Sequence, residues 1–436
     1  MLVPPMSLFE EHPLRRTLND EVHARPPVAL QPPERVAYLA FLHENGSADG
    51  EIAHLRLLTQ QLGLAEPCDE AVHLMIEAPE FRLKWERHSE FSSYAFFRRD
   101  EATSLSENDA LLSVPTTWRK AIPGRLIVAS QVEVRKADDE AAQAMLAHLS
   151  TDAASQIVSR ISDGAGWVLS DFHLHDGFSR FTLLDVSLTP RQAGRTVQRL
   201  LEIETYRTMA LLAFPVAKEV GRLVSQAETE LADLMDSIGE ARSSEDERKV
   251  LGRLTRLAAD VERSVARTTY RFGAAAAYYR LVRQRIDELR ELRVAGFSPI
   301  REFMERRLAP AMSTCETMSR RQEELSGRIA RNSQLLRTRV DIELERQNQA
   351  LLEQMNRRAK LQLRLQETVE GLSIVAITYY GSQLVNYLAK GAKDWITPLT
   401  PELVTAASIP VIAGLVFIGL RRMRRAVAAE AQGIEH

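Results

Sequence analysis

Three groups of residues have types and spacings that could do chemistry. Asp171, His173 and His175 stand at alternate positions of DFHLHDG (residues 171–177). Side chains alternate along a strand, so one face would carry a carboxylate and two imidazoles, donors that suit a divalent cation. With no distant third ligand the signal is weak, and a solvated strand face is the plainer reading. A second group lies in HPLRRTLNDEVHARPP (residues 12–27). Pro13 suits the first turn of a helix that stops before Pro26, and Arg15, Asn19 and His23 then form one polar row. Arg15 and His23 could hold an anion or a neighbouring subunit. The plainer reading is an ion-paired docking helix, with Arg16 beside Asp20 and an apolar edge of Leu14, Leu18 and Val22.

The third group is TYYGSQLVNYLAKG (residues 378–391), polar residues inside the most apolar part of the chain. At about 100° per residue, Tyr379, Ser382, Gln383, Asn386 and Lys390 fall within a sector of roughly 100°. Ile374, Ile377, Gly381, Leu384, Val385 and Leu388 take the other side. Leu372, Val375 and Ala376 continue the polar sector one way along the helix. Amides in hydrocarbon need partners, so this face is expected to meet copies of itself, as hydrogen-bond glue between helices or as the lining of a pore. In a pore, Leu372 and Val375 would form a hydrophobic gate below a polar mouth.

The elements that must carry these groups follow from periodicity. Residues 1–188 read as a cytosolic α+β domain, with strands at 34–42, three short runs in 73–100, and one at 125–135. Helices are expected at 138–149 and from Asp49 to Gly63, Asp49 as cap and Gly63 as stop. Residues 166–188 form a hairpin turning at Asp176-Gly177. Thr189-Pro190-Arg191-Gln192 is a capping box, and from there the pattern is helical. Pro215 can kink the first helix, and Ser298-Pro299 starts another. Residues 189–370 therefore read as a long-helix stalk. From Ala311 to Glu370 there is no proline, and Leu336, Val340, Leu344, Leu351, Met355 and Leu365 recur at threes and fours, with Asn348 and Gln362 in the seam. A stalk packed on its own neighbours and a self-associating coiled coil both fit.

Two uncharged runs, Leu372–Ala389 and Leu403–Leu420, have 18 residues each. Each would span about 27 Å as a helix, enough for a bilayer core. Arg357, Arg358, Lys360 and Arg364 precede the first run, and Arg421, Arg422, Arg424 and Arg425 follow the second. Positive charge favours the cytosolic side. The expectation is a transmembrane hairpin over residues 371–425 with a cytosolic tail at 426–436, Trp395 and Tyr387 at the interface, and both termini cytosolic. Within one hairpin, Thr405 and Ser408 are the only obvious polar partners, which leaves Gln383 and Asn386 poorly served.

The chain has 436 residues, a formal net charge of -3, and two cysteines, Cys68 and Cys315, in no metal spacing. That length allows two or three domains. No basic run or basic-aromatic module points to nucleic acid, and no secretory signal is expected near the N-terminus. In EIETYRTM (residues 202–209), Glu202, Glu204, Tyr206 and Arg207 read as a helix-packing network. No phosphate loop, nucleophile elbow or paired-carboxylate motif is present, so an enzyme is not expected.

HPLRRTLNDEVHARPP, DFHLHDGFSRF, TPRQAGRTVQRLLEIETYRTMALLAFP and the terminal apolar runs resemble an uncharacterised family of bacterial membrane-anchored proteins over nearly the whole chain. The resemblance implies anchoring in the bacterial inner membrane and no established activity. The order of parts, an α+β domain, long helices, two membrane helices and a basic end, is also similar to CorA-type magnesium channels. Those are pentamers whose first membrane helix lines the pore and ends in an aromatic followed by Gly-Met-Asn. Here the place reads Tyr380-Gly381-Ser382-Gln383, so Tyr-Gly is kept and Met-Asn is not. The resemblance implies a homo-oligomeric cation conduit, with a divalent cation as candidate ligand. The alternative is a tethered scaffold or sensor that conducts nothing. Membrane lipid and further copies of the chain are the expected partners.

Overall fold

The computed structural model describes residues 12–16, 18–19, 26–43, 47–99, 110–149, 156–240, 243–391 and 400–432. His23, Lys393, Asp394 and Trp395 lie outside them. The chain divides into two compact units. One holds residues up to Ala241 together with Lys249–Ser333, and the other holds Arg242–Arg248 with Gln334–His436. The change of pattern at residue 189 is thus a change of secondary structure within one unit. The helices up to Ser333, expected as part of a separate stalk, cluster with the sheet.

The first unit is built on a mixed sheet: β1 (Glu34–Leu42), β2 (His73–Glu77), β3 (Arg82–Arg87), β4 (Phe91–Arg99), β5 (Arg125–Lys136), β6 (Ile157–Ile161), β7 (Gly166–His175), β8 (Phe178–Asp185) and β9 (Leu292–Arg293). Their order across the sheet is β2-β3-β4-β1-β5-β8-β7-β6-β9. Every pair is antiparallel except β5 with β8, where the two halves join. The hairpin between β7 and β8 turns at Asp176 (φ 52) and Gly177 (φ 86), both left-handed, as the Asp-Gly signal predicts.

Alternation divides the sheet into two faces. Ala37, Leu39, Leu83, Trp85, Tyr94 and Phe96 pack with Ile52, Leu55 and Leu58 of α1 (Glu51–Gln61) and with Trp118 of α2 (Thr116–Lys120). Trp118 Nε1 donates to the His54 carbonyl at 2.7 Å, so the buried indole keeps its hydrogen bond. Gly63 (φ 68) ends the α1 segment as expected, but Asp49 does not cap it. Residues Ser47–Gly50 form a 3-10 turn, and Gly50 takes the N-cap with no side-chain bond. A second cluster gathers Val158, Trp167, Leu169 and Leu184 under Ala142 and Leu146 of α3 (Asp139–Leu149).

On the face opposite α1 lies α4 (Pro190–Leu211). Its capping box is complete: Gln192 N donates to Thr189 Oγ1 at 3.3 Å, and Thr189 N donates to Gln192 Oε1 at 2.9 Å. Leu30 N donates to the Pro190 carbonyl at 3.0 Å, tying the segment before β1 to the start of the helix. Gly194 lets the two backbones meet, since a Cβ there would lie 1.8 Å from the Val28 carbonyl oxygen. α4 stops at Leu211 and α5 (Ala213–Glu240) begins two residues before Pro215, so the proline sits in a first turn, where its missing N–H costs nothing. α6 (Ser244–Leu289) follows. Before α7 (Ile300–Arg307), Glu291 acts as a distant cap: its carboxylate accepts from Ile300 N at 2.9 Å and Arg301 N at 3.1 Å.

α8 runs unbroken from Ala309 to Gly391, 83 residues and about 125 Å of helix. The first apolar run is therefore the end of α8 and not a separate element. Its tyrosines, Ser382, Gln383 and Asn386 keep it below the apolarity of a spanning helix. Among the described residues one helix is long and apolar enough to cross a membrane, at Pro401–Met423 within α9 (Pro401–Gln432), with none of it buried. The expected two-helix transmembrane hairpin is thereby reduced to one candidate spanning segment. Pro410 lies inside that helix without ending it.

Gly194→Ala is expected to lower the free energy of unfolding by about 1–3 kcal/mol, the usual range for overpacking. Denaturant titration of the purified protein measures it. An unchanged midpoint would mean that α4 moves off the Val28 segment at no cost.

Candidate functional site

A cavity of about 50 Å³ lies where α4 crosses β3, β4 and β1. Its polar lining comes from the strand positions that alternation turns toward α4, even-numbered on β1 and β3 and odd-numbered on β4. Lys84 and Glu86 stand two apart on β3 and pair at 3.1 Å, with side chains 10% and 15% exposed. Tyr38 on β1 meets Thr205 on α4, oxygen to oxygen at 3.0 Å. Thr205 also lies 2.8 Å from the Leu201 carbonyl, and its single proton goes there. Its oxygen then accepts from the Tyr38 hydroxyl. Burial pushes the Tyr38 and Tyr206 phenols well above their ordinary pKa, so both are neutral donors. Gln198 donates to Glu202 at 2.8 Å, and Arg285 of α6 pairs with the same carboxylate. At the edge, the Tyr206 and Tyr278 rings stack at 5.7 Å. Glu202 and Tyr206 thus take part in helix packing, as their spacing predicts, and also wall a cavity. Sequence patterning did not find this site, because Lys84, Glu86 and Ser93 look like the solvent side of two strands until α4 covers them.

The opposite face holds a second polar cluster. Arg87 Nε and Ser92 Oγ both donate to Glu51 Oε2 at 2.9 Å, and His43 Nε2 lies 2.9 Å from Ser92 Oγ. A serine, a histidine and a carboxylate suggest nucleophilic chemistry, but the proton count opposes it. Ser92 spends its one proton on Glu51, so His43 Nε2 carries the hydrogen between them and cannot act as a base. Ser92 is also fully buried. The cluster fastens α1 to the sheet.

Asp171, His173 and His175 do come together, but by a distortion. Phe172 adopts a positive φ of 55° and the β7–β8 register shifts between Ser170 and Leu174. The Asp171 carboxylate accepts from His173 N at 2.9 Å and contacts His175 Nε2 at 2.6 Å. Its oxygens are thus occupied, and among the described residues no group of three or more His, Cys, Asp or Glu side chains is placed to hold a metal ion. The three residues form a closed hydrogen-bonded bulge. Partial burial would raise the Asp171 pKa, but the His173 N–H and the two imidazoles outweigh it and hold the carboxyl below its ordinary value. Of the pair Arg15 and His23, Arg15 is exposed on a helical turn and His23 falls outside the described residues.

At the end of α8 the expected polar face divides. Ser382 is buried, and its hydroxyl donates to the Tyr379 carbonyl at 2.8 Å, so it leaves the stripe. It lies beside Gly381, whose Cα faces α9 so closely that a Cβ would sit 3.1 Å from Ile412 Cγ2. Tyr379, Gln383 and Asn386 stay together on another sector, continued by exposed Leu372 and Val375. In α9, Thr405 and Ser408 turn back to the carbonyls of Pro401 and Thr405, each at 2.8 Å. The side-chain amides of Gln383 and Asn386 make no hydrogen bond among the described residues.

The lowered Asp171 pKa has a pH signature. The stability it contributes is complete above the ordinary carboxylate range and is lost as pH falls through the lower folded value. The thermal midpoints of wild type and Asp171→Asn should differ by a constant amount near neutral pH and converge in acid. A gap that persists in acid would show that the charge is not what holds the bulge.

No match to the chain was found among curated proteins or solved structures. The likeness to CorA-type channels gains no support from these comparisons. A model of one family matches residues 10–427, and the chain belongs to that family, described as "Protein of unknown function (DUF3422)".

Proposed function

We propose that the protein is a membrane-tethered homo-oligomer that holds its sheet unit at the cytosolic side of the bacterial inner membrane. The observation that carries this reading is the exposed seam of α8. Leu344, Leu351, Leu365, Leu372 and Tyr379 recur with Met355, Val369 and Ala376 at alternating steps of three and four, and the same register runs on to Gln383 and Asn386. Leu336 and Val340 are buried, but Leu351 is 58% exposed, Leu365 71% and Leu372 71%. In a heptad frame Leu351, Leu365, Leu372 and Asn386 take d, while Asn348, Met355, Gln362, Val369 and Gln383 take a. Arg358 is the one charged residue of the seam between Leu344 and Asn386.

Two further points support self-association. Seam amides at Asn348, Gln362, Gln383 and Asn386 can be satisfied layer by layer in a parallel bundle of identical helices, because each meets its own copy at the same height. Parallel orientation follows if every copy places the segment after Pro401 in the same bilayer. Exposed Leu352, Leu361 and Val375 flank the a and d positions and widen the face, which suits more than two helices. The narrower reading, cation conduction along the Tyr379, Gln383 and Asn386 face past a gate at Leu372 and Val375, rests on those residues alone. A tether with no conduction explains the seam equally well, so conduction is a separate outcome of the test.

In a Cys68→Ser background, Leu365→Cys at d should cross-link between chains under mild oxidation, and Glu367→Cys on the outer face should not. Leu351→Glu with Leu365→Glu should reduce the mass in detergent to that of one chain. A wild-type monomer in detergent, or equal cross-linking at both positions, would sink the assembly. In liposomes, cation flux that is lost in Gln383→Leu with Asn386→Leu while assembly persists would favour the conduit. Assembled protein without flux would leave the tether.

A further inference from the structure

The cavity under α4 combines unused hydrogen-bonding capacity of both signs with no net charge. Lys84 is 9% exposed, and its ammonium has three N–H donors. Among the described residues its one partner is Glu86. Glu86 in turn has a second oxygen and spare lone pairs. The Tyr206 hydroxyl, kept neutral by burial, has no hydrogen-bond partner among the described residues. Gln198 commits its amide nitrogen to Glu202, which leaves its carbonyl oxygen free. Glu202 is neutralised by Arg285. None of these atoms is cut off from solvent, so a matching ligand would exchange cavity water for direct bonds.

We infer that this cavity binds a small free α-amino acid as its zwitterion. A lone anion or cation entering a neutral, half-enclosed cavity would bring in an uncompensated charge. A zwitterion brings none. In an α-amino acid the ammonium nitrogen and a carboxylate oxygen stand roughly 3 Å apart by ordinary covalent dimensions. The Lys84–Glu86 pair has a matching separation of 3.1 Å. The ligand can therefore lie antiparallel to the pair, its carboxylate on Lys84 and its ammonium on Glu86, closing a ring of four alternating charges. Tyr206 donates a further bond to the carboxylate, and Gln198 accepts one from the ammonium. The free space, about 50 Å³, holds roughly four water-sized groups. That limits the ligand to glycine, alanine or a molecule of similar size. Phe91 and Phe97 are part of the apolar lining. This proposal is independent of the assembly of α8, because it uses residues of the sheet unit alone.

The test is calorimetric titration of the full-length protein in detergent with glycine and L-alanine. Acetate, methylammonium, lactate and alanine methyl ester, which each lack one charge of the zwitterion, serve as comparators. Saturable binding of the amino acids, with each comparator at least about tenfold weaker, is expected. Lys84→Met and Glu86→Gln should abolish it. Tyr206→Phe, which keeps the ring and removes one oxygen, should weaken it about tenfold, the loss of one hydrogen bond to a charged group. No binding of either amino acid at millimolar concentration would mean that the cavity holds only water, and would overturn the proposal. Acetate binding as tightly as glycine, or amino-acid affinity unchanged in Lys84→Met, would overturn it as well.

Discussion

The contact between Gly194 and the Val28 carbonyl sets the position of everything on one face of the sheet. A helix and an extended segment normally stay apart by the thickness of their side chains, and here no side chain fits between them. The Leu30–Pro190 hydrogen bond and the Thr189 capping box fix the helix start at that contact. From there α4 crosses the strands at an imposed height. Ala193, Val197 and Leu201 fill the near part of the space beneath it, and Tyr38 reaches Thr205 further along. The space left over is walled by Lys84, Glu86 and Tyr206. The cavity is thus a consequence of the anchored helix start, since a helix free to settle would close on it.

The second unit is governed by a different constraint. Fully burying one leucine or valine is worth about 1.5–3 kcal/mol, and α8 leaves a line of them exposed from Leu351 to Leu372. Helical propensity does not offset such exposure, because long helices in proteins owe most of their stability to a packed face. Seam residues stay in one register across the step from charged to apolar sequence near Glu370, where the wheel of the last turns alone would show only a two-sided membrane helix. The amides at Gln383 and Asn386 fall in line with Leu365 and Leu372, so one packing mode would serve both parts of the helix.

Much of the architecture was legible beforehand. The Asp-Gly hairpin, the Thr189 capping box, the three runs within residues 73–100 and the start of α7 after Pro299 were all announced by local chemistry. What escaped was set by distant contacts. β6 and the two-residue β9 have no clear period, and β9 pairs across more than a hundred residues of sequence. Ser382 sits within the polar sector of the wheel, yet close packing of Gly381 on Ile412 draws its neighbour inward, which a wheel drawn for one helix cannot represent. The Asp171 bulge was hidden because alternation assumes a regular strand, and Phe172 breaks it. The transmembrane pair was overcounted because two runs equal in length and lack of charge differ in polarity.

Three clusters treat polar groups in three ways, and the differences are informative. Glu51 is fully buried, and one of its oxygens takes both Arg87 and Ser92 while His43 stands 3.4 Å from the other. Replacing one member of such a set leaves an uncompensated charge, which is the mark of a fastening. Lys84 and Glu86 are nearly as deep but share one contact, with capacity left over facing open space. Gln383 and Asn386 have no side-chain hydrogen bond among the described residues, on a face that water would solvate and a bilayer would not. Each unmet bond in a dry place costs about 1–3 kcal/mol, a cost this fold bears at Glu51 Oε1, Trp85 Nε1 and the Tyr94 hydroxyl. The Glu51 cluster is held together within the chain, although Glu51 Oε1 itself accepts no hydrogen bond. The other two keep capacity that the proposed amino acid and the proposed neighbouring helix would use.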